Sequence, residues 1–457
     1  MELDMTKGRP LPIILKFMLP IFLGNIFQQF YNMVDTIIVG RFVGANALAA
    51  VGSTGTIMFL VLGFAQGLTT GFTVLTSQSY GAGDTRRVKH SVANGIILSS
   101  IVIVLTTMLS VIAINPLLRI MNTPEDIFAD ASAYITTICY GIVASVFYNL
   151  FSAYMRAVGN SKTPLYFLIF SACLNIVLDL LLIVVFKMGV VGAALATNIS
   201  QGISAIMCIY YIYKHIPTLA PDKNDWHLVS QDTKHQLRVG LPMALQFAIT
   251  AAGTMIMQSA INLFGSTAVA SFTAASKLSG LLTQEMPAMG AAMSTFAGQN
   301  YGNGDCARIK KGVRSSMIAN TVYALMAAVA ANLLLPTALG LFFSGNTSVA
   351  ELLPWARPYI QISSVFYVPL SFIFIFRNAM QGCGYGFLPM MGGVIELFAR
   401  MISAIIAMNI KSYPLAVACD PIAWMAAAIF TCVCYIYVIR DIQRRFSKRQ
   451  QSSEYAH

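Results

Sequence analysis

The segment Gln78-Ser-Tyr-Gly-Ala-Gly-Asp84 recurs as Gln299-Asn-Tyr-Gly-Asn-Gly-Asp305, 221 residues later. Each copy follows a long apolar run and is rich in glycine, so each predicts a tight turn between two helices. Two further pairs of segments recur in the same order, 222 and 225 residues apart: Leu19-Pro20 with Leu241-Pro242, and Met155–Gly159 with Met380–Gly384. Three landmarks at nearly one offset indicate that the chain is an internal duplication.

Composition places both copies of the repeat in a membrane. The chain has 457 residues, of which 57% are hydrophobic and 10% are charged, and its mean hydropathy is +0.69. A soluble protein would carry about 25% charged residues. The apolar runs are long enough for helices, which need about 20 residues to cross a bilayer. They lack the short alternating pattern of a membrane β-barrel.

Twelve apolar spans account for the chain, six in each copy of the repeat. The spans run roughly over 13–39, 46–78, 91–115, 129–153, 164–186, 190–213, 237–264, 268–298, 315–343, 355–380, 388–410 and 414–439. Because six is even, both copies have the same orientation. The predicted fold is an all-α polytopic membrane protein with twelve transmembrane helices in two parallel six-helix lobes. The expected domains are an N-terminal lobe over 1–213, a cytoplasmic linker over 214–236, a C-terminal lobe over 237–440 and a cytoplasmic tail over 441–457.

The distribution of basic residues predicts the orientation. With the N-terminus in the cytoplasm, loops on that side hold 21 Lys and Arg, and those on the other side hold 5. An excess of basic residues marks the cytoplasmic side. We therefore expect a multi-pass protein of the cell membrane with both termini inside. The formal net charge of +11 follows from these loops, so we expect no nucleic-acid partner.

Two aspartates lie inside apolar spans, Asp35 in span 1 and Asp179 in span 5. A carboxylate there costs roughly 2.5–3.5 kcal/mol on insertion scales and commonly marks an ion or substrate path. On the predicted topology these two residues share one layer with Thr197 and Tyr134, roughly 7–12 Å below the outer surface at ~1.5 Å per residue. Asn175 is one helical turn from Asp179 on the same face. We predict a shared cation site.

The ligands of this site would be the side-chain oxygens of Asp35, Asp179, Asn175 and Thr197, with Tyr134 in support. Hard oxygen ligands suit Na⁺ or a proton rather than a soft transition metal. The sequence leaves Na⁺ and H⁺ open as the coupling ion and predicts no other cofactor. Taken singly, Asp35 is near a helix end and could cap or snorkel, while Asn175 and Thr197 could be interhelical hydrogen-bond partners. Their common depth favours the site.

The C-terminal copy lacks this chemistry. By the repeat offsets, the counterparts of the two aspartates and the asparagine are Met257, Ala404 and Arg400. Span 11 instead carries Glu396 and Arg400 four residues apart, which predicts a structural ion pair. Lys277 and Glu285 in span 8 could form another. The cation site is therefore expected in the first lobe only.

Weaker candidates concern the substrate and the movement of span 1. A large cavity between the lobes could accept varied apolar cations. Its candidate lining residues are Gln28, Tyr31, Asn149, Met255 and Met257. Each of these residues alone is more typical of packing or lipid contact. Pro20 lies inside span 1 and bends it, either as a static kink or as a hinge that moves during transport.

These motifs resemble the multidrug and toxic-compound extrusion (MATE) family over nearly the whole chain. The segments that carry the resemblance are Pro20, Gln29–Asp35, Val39–Arg41, the two Gln-x-x-Gly-x-Gly turns, Gly159–Pro164 and Thr295–Gln299. The resemblance implies a V-shaped pair of six-helix lobes that work by alternating access, coupled to inward Na⁺ or H⁺ flow.

Within that family, a DinF-like branch keeps its cation site in the N-terminal lobe. The residues that match this branch one by one are Asp35, Asn175, Asp179 and Thr197, with Tyr134 as an associated aromatic. Other branches place acidic ligands in spans 7 and 10. Here Gln246–Ala251 and Tyr367–Arg377 contain no acid, so a second site of that kind is in doubt.

The expected function is a secondary antiporter that exports amphipathic, cationic drugs or toxic metabolites, and not an enzyme. Its partners would be a small drug-like molecule, Na⁺ or H⁺ and membrane lipid, and we expect a monomer. One rival is a lipid-linked oligosaccharide flippase of the same superfamily, which a large cationic cavity would support. A second is a major-facilitator transporter, which the repeated turns disfavour. The third is an intramembrane aspartyl enzyme that uses the aspartate pair.

Overall fold

The structure is a computed structural model that describes residues 3–121, 123–342 and 349–454. The helices of the first half are α1 (Pro10–Phe42), α2 (Ala45–Gly81), α3 (Thr85–Ile120), α4 (Glu125–Tyr140), α5 (Ile142–Ala157), α6 (Lys162–Asp179) and α7 (Gly189–His215). Those of the second half are α8 (Ser230–Asn262), α9 (Ser266–Leu282), α10 (Glu285–Gly302), α11 (Cys306–Phe342), α12 (Val349–Val365), α13 (Tyr367–Gly382), α14 (Phe387–Asn409), α15 (Tyr413–Val417) and α16 (Cys419–Glu454). The predicted helical fold class is confirmed.

The apolar helices agree with the predicted spans. Within the described ranges, nine helices are long and apolar enough to cross a membrane. The number is eleven if two bent pairs, α4 with α5 and α12 with α13, each form one span. The remaining predicted span, the eighth (268–298), corresponds to α9 followed by α10. The protein is thus an all-α polytopic membrane protein with twelve spans.

The repeated turn has the same backbone in both copies. Gly83 and Gly304 adopt φ angles of 73° and 77°, a backbone conformation that residues with a Cβ atom rarely adopt. The next residue caps the following helix in each copy. Asp84 accepts a hydrogen bond from the backbone N–H three residues on at 2.9 Å, and Asp305 does so at 2.8 Å. The glycine allows the turn, and the aspartate begins the next helix.

The fourth span of each copy is bent at equivalent positions. The break between α4 and α5 at Gly141 turns the chain by 47°, and the break between α12 and α13 at Phe366 turns it by 50°. At the first break, Asn198 of α7 donates a hydrogen bond to the Thr137 carbonyl at 2.7 Å. A Cβ atom on Gly141 would lie 1.9 Å from Cγ of Asn198. Because Gly141 has no side chain, Asn198 can reach the Thr137 carbonyl at the break between α4 and α5.

The chain divides into two compact units. The first unit contains the residues up to Asp4 and Leu19–Ala248, and the second contains Met5–Met18 and the residues from Ile249 onward. One boundary thus falls inside α1, directly before the Leu19-Pro20 pair, and the other inside α8. The lobe ranges 1–213 and 237–440 and the tail 441–457 follow the sequence repeat rather than this division, and they stay a prediction.

The predicted linker is folded against α3 rather than extended. α8 begins at Ser230, seven residues before the expected start of span 7 at 237. Two ion pairs join this segment to the start of α3, Arg87 with Asp232 at 3.1 Å and Lys89 with Asp222 at 2.8 Å, and the His90 ring contacts Asp225 at 3.3 Å. The carboxamide of Asn94 also donates a hydrogen bond to Gln236 at 2.7 Å, and both side chains are fully buried. The polar composition of the segment alone does not reveal these contacts.

Small residues bring α2 and α8 close together within the first unit. A Cβ atom on Gly71 would lie 2.3 Å from Cα of Gly240, and one on Gly67 would lie 2.8 Å from Cα of Ala244. These pairs are four residues apart on each helix. Small residues at this spacing let two membrane helices approach along their backbones.

A buried charge network lies in the second unit. The predicted pair of Glu396 and Arg400 is confirmed, at 3.5 Å between Oε2 and Nη2. The network is larger than the sequence indicated, because Arg377 contacts Glu396 at 2.5 Å and Asp420 contacts Arg400 at 2.5 Å. Two acids thus balance two arginines, as buried charges require.

The α2–α8 crossing yields a stability prediction. Gly71→Ala should destabilise the protein by about 1–3 kcal/mol, because the new methyl group meets backbone atoms that cannot rotate away. Gly55→Ala is the matched control, since Gly55 is also in α2 and a Cβ there has no atom within 4 Å. Thermal unfolding in detergent should show a lower midpoint for the first variant only. Equal midpoints would contradict the close crossing.

Candidate cation site in the first unit

The structure brings together the side chains that the sequence places at one depth. Asp35 lies on α1, Asp179 is the last residue of α6, and Thr197 lies on α7. Asn175 precedes Asp179 by one helical turn, and both of these side chains are fully buried. Three helices therefore supply the polar groups of one small cluster, which we call the Asp35–Asp179 site.

The Asn175 carboxamide joins α6 to α7. With its amide nitrogen toward Asp179, Nδ2 donates a hydrogen bond to Oδ2 of Asp179 at 2.8 Å. Its oxygen then accepts one from the backbone N–H of Thr197 at 3.1 Å. The same carboxamide lies 3.3 Å from the Thr197 hydroxyl. The Asn175 carboxamide thus uses both its donor and its acceptor, and its hydrogen bond fixes the orientation of the Asp179 side chain.

The two carboxyl groups touch each other. The side chains of Asp35 and Asp179 lie close enough to interact. Two carboxylates at such a separation repel each other when both are ionised, and a proton or a cation bound between them would relieve that repulsion. Oδ1 of each aspartate is buried and has no hydrogen-bond partner within the described ranges. These oxygens are available for a cation.

A π-helical turn follows Asp179 directly. The segment Leu180–Val185 is π-helical, and the Phe186 N–H donates a hydrogen bond to the Leu181 carbonyl, five residues earlier, at 3.0 Å. Such turns are rare and frequently lie at functional sites. The wider turn rotates the side chains after Asp179 about the helix axis, relative to their positions in a regular α-helix. Nothing in the apolar sequence of this segment signals it.

Two tyrosines complete the cluster. Tyr134, the predicted supporting aromatic, is 4% exposed and lies near both aspartates. The sequence predicts Tyr31 in the substrate cavity, and the structure places it near the side chains of Thr197, Asp35 and Asp179. A signal for this role is present in the sequence, because Tyr31 precedes Asp35 by one helical turn on α1.

The other predicted residues lie apart from this cluster. Pro20 is buried within α1, and Gln28 is exposed. Asn149 donates a hydrogen bond to the Ser145 carbonyl of its own helix at 2.8 Å. In the second unit, Met255 is 46% exposed, whereas Met257 is 7% exposed and belongs to the hydrophobic core. Packing of α8 turns the Met257 side chain inward, and its role in a substrate cavity stays a prediction.

Comparisons with known proteins agree with this architecture. The family model MatE matches residues 20–181 and 242–406, one segment in each copy of the repeat. The chain is similar to the probable multidrug resistance protein YpnP of Bacillus subtilis, with 34% identity over 67% of this chain and 68% of the relative. It is 23% identical to an FAD transporter of Shewanella oneidensis over 81% of each chain. A crystal structure of a MATE protein in the bent conformation matches with a TM-score of 0.89 and 23% identity, over 97% of this chain and 99% of the other.

These matches define a membrane transporter of the multidrug efflux type. The chain belongs to the MatE family. Its relatives are named as multidrug resistance proteins, so the protein is a transporter of small molecules and not an enzyme. The family assignment also excludes the major-facilitator alternative.

The Asn175 hydrogen bond to Asp179 yields a binding prediction. Asn175→Ala should weaken cation binding by about tenfold or more, because a hydrogen bond to a charged group contributes about 1.5–3 kcal/mol. The measurement is the thermal midpoint of unfolding against Na⁺ concentration at several pH values, since a ligand of the folded state raises that midpoint.

Asn149→Ala is the matched control, because that carboxamide bonds to its own helix turn. The control should keep the wild-type dependence on Na⁺ or pH. An equal loss in both variants, or no loss in Asn175→Ala, would contradict the assigned geometry.

Proposed function

We propose that the protein is a secondary antiporter that exports amphipathic, cationic compounds in exchange for Na⁺ or H⁺. The observation that carries the proposal is the buried contact between Asp35 and Asp179, with Asn175 holding the second carboxyl group. A buried acid pair within apolar helices has no structural advantage over apolar packing. Such residues in membrane helices commonly mark an ion path.

The pair suits exchange between a proton and a metal cation. Without a bound cation the two carboxyl groups carry two negative charges, and one proton or one Na⁺ lowers that charge to one. The hard oxygens that would hold Na⁺ are those of Asp35, Asp179, Asn175 and Thr197. Either cation thus reduces the repulsion between the two carboxylates, and only a difference in its affinity between two conformations of the protein can drive transport.

The conformational change is proposed to involve α1. Pro20 removes one backbone hydrogen bond inside that helix, and the boundary between the two compact units passes beside it. Asp35 lies on the same helix, four turns further on. One of the similar crystal structures is of a MATE protein in the bent conformation. Cation binding at Asp35 would favour either a straight or a bent α1.

We further propose a cell-membrane location, both termini in the cytoplasm and a monomeric state. The basic loops support the orientation, with 21 Lys and Arg on the cytoplasmic side and 5 on the other. The DinF-like branch is proposed on the residues of the Asp35–Asp179 site.

A second candidate is export of an anionic nucleotide such as FAD, which one relative is named for. An anion or a lipid-linked sugar phosphate would need uncompensated basic groups. The arginines inside the predicted spans, Arg377 and Arg400, are both paired with acids, whereas Arg156 lies beyond the end of predicted span 4, in the last turn of α5. This pairing favours cationic cargo, and FAD uptake into the same vesicles is the direct comparison.

The central prediction concerns Asp35. Asp35→Asn should abolish efflux of a cationic dye from cells and from proteoliposomes, with expression and chromatographic profile unchanged, because the amide cannot exchange a proton for a cation. Asp130→Asn is the matched control, since Asp130 is an exposed carboxylate in α4. Normal efflux by Asp35→Asn would refute the site.

The coupling ion is tested separately in proteoliposomes. The wild-type protein should be tested first with an inward Na⁺ gradient and no pH difference. It should then be tested with an inward proton gradient and no Na⁺ gradient. At least one gradient should drive substrate flux several-fold above the rate without a gradient. If neither gradient does so, the protein is not a cation-coupled antiporter.

A further inference from the structure

A second buried carboxyl group lies in the other unit. Glu285 is the first residue of α10, at the junction where α9 ends and α10 begins. Its side chain is 3% exposed, and Oε2 has no hydrogen-bond partner in the described part of the chain. α9 begins at Ser266 and α10 ends at Gly302, so Glu285 lies midway along the eighth span.

Unpartnered polar groups also lie on the neighbouring α11. Asn320 is fully buried, and neither its amide nitrogen nor its amide oxygen has a hydrogen-bond partner among the described residues. Ser316 precedes it by one helical turn on the same face, is also fully buried, and its hydroxyl has no partner there either. Ser316 and Asn320 thus form a short buried polar strip on α11.

A hydrogen bond fixes the register between the two helices. Tyr323 of α11 donates from its hydroxyl to the Leu282 carbonyl at the end of α9, at 2.9 Å. The two spans run in opposite directions, and α10 and α11 pack against each other. Glu285 lies three residues after Leu282, and Asn320 lies three residues before Tyr323. Because the spans are antiparallel, both residues lie on the same side of the Tyr323 hydrogen bond.

Groups of this kind are costly unless something binds them. A buried polar group without a partner costs about 1–3 kcal/mol, and a charged one costs more. A carboxamide suits a titrating neighbour, because it accepts a hydrogen bond from a protonated acid and donates one to a carboxylate. Asn320 can thus serve Glu285 in both protonation states.

The surrounding charges do not supply Glu285 with a fixed counter-ion. The titratable and charged groups on the packed helices along this stretch are Tyr323 of α11, Tyr367 and Arg377 of α13, and Lys277 of α9. Tyr367 shares a hydrogen bond with Ser279, and Arg377 is paired with Glu396. The sequence suggests Lys277 as an ion-pair partner of Glu285. Lys277 is exposed, however, and its position eight residues earlier corresponds to ~12 Å along the helix axis.

We propose that Glu285, with Asn320 and Ser316, forms a second proton-binding site that is used during transport and is separate from the Asp35–Asp179 site. One carboxyl group without a fixed counter-ion matches a single proton. The role in transport rests on the proposed function, whereas proton binding itself does not.

Infrared spectroscopy tests proton binding directly. Difference spectra of the reconstituted protein between acidic and alkaline pH should contain the carbonyl band of a protonated buried acid that Glu285→Gln removes. The matched control is Glu351→Gln, an exposed glutamate in α12, which should leave the band intact. Asp35→Asn should also leave it intact, since that residue belongs to the other site.

Asn320→Leu should shift the frequency of the band, because the proposed site loses its carboxamide, whereas Thr321→Val should not. If Glu285→Gln does not fold, Glu285→Asp should retain the band at a changed frequency. A band unaffected by both Glu285 variants would overturn the site. Loss of the band when Na⁺ is added at constant pH would show that the site binds a metal ion, and it would overturn the proposal of a proton-binding site.

The role in transport has its own measurement. The number of protons released per cationic substrate bound should fall in Glu285→Gln relative to the wild type and be unchanged in Glu351→Gln. Equal proton release would overturn the transport role even if the infrared band is lost. If the wild-type protein moves no substrate, the proposed function fails, while the infrared result still decides whether Glu285 binds a proton.

Discussion

The contact between the Asp35 and Asp179 carboxyl groups is the constraint on which the rest of this transporter depends. Both acids are held inside apolar helices, where an isolated carboxylate is costly. Two carboxyl groups this close repel each other when both are ionised, so a bound proton or cation would stabilise this part of the fold. Asn175 and Thr197 hold the pair in place through α6 and α7, and the π-helical turn after Asp179 sets where α6 ends.

This constraint gives the two copies of the repeat different roles. The turns at Gly83 and Gly304 and the bends at Gly141 and Phe366 show that the copies share one backbone plan. Their polar residues differ. The first copy carries the aspartate pair, and the second carries the balanced network around Arg400 and the lone Glu285. A duplicated scaffold has thus kept its helices and diverged in its buried charges.

The helices and the membership of the site are predictable from the sequence because both depend on simple regularities. Apolar runs longer than a bilayer define the spans, and counting residues from helix ends places Asp35, Asp179 and Thr197 at one depth. The repeat offset also relates the paired bends, since Phe366 is 225 residues after Gly141.

The features that sequence reasoning missed depend on rotation and packing. Tyr31 and Met257 are both predicted to line one cavity. In the structure Tyr31 lies near the acid pair and Met257 belongs to the hydrophobic core, because helix packing decides which side chains turn inward. The early start of α8 at Ser230 depends on ion pairs with α3, which no local pattern shows. The environment of Glu285 is not visible in the sequence either, because Asn320 and Ser316 lie on a separate helix.

The most direct test of the shared proton is a count of protons released in weak buffer when Na⁺ or a cationic substrate is added to the purified protein. If Asp35 and Asp179 share one exchangeable proton, the wild-type protein should release about one proton more than Asp179→Asn under the same conditions. Equal release from the two proteins, with substrate binding intact in both, would contradict the central claim.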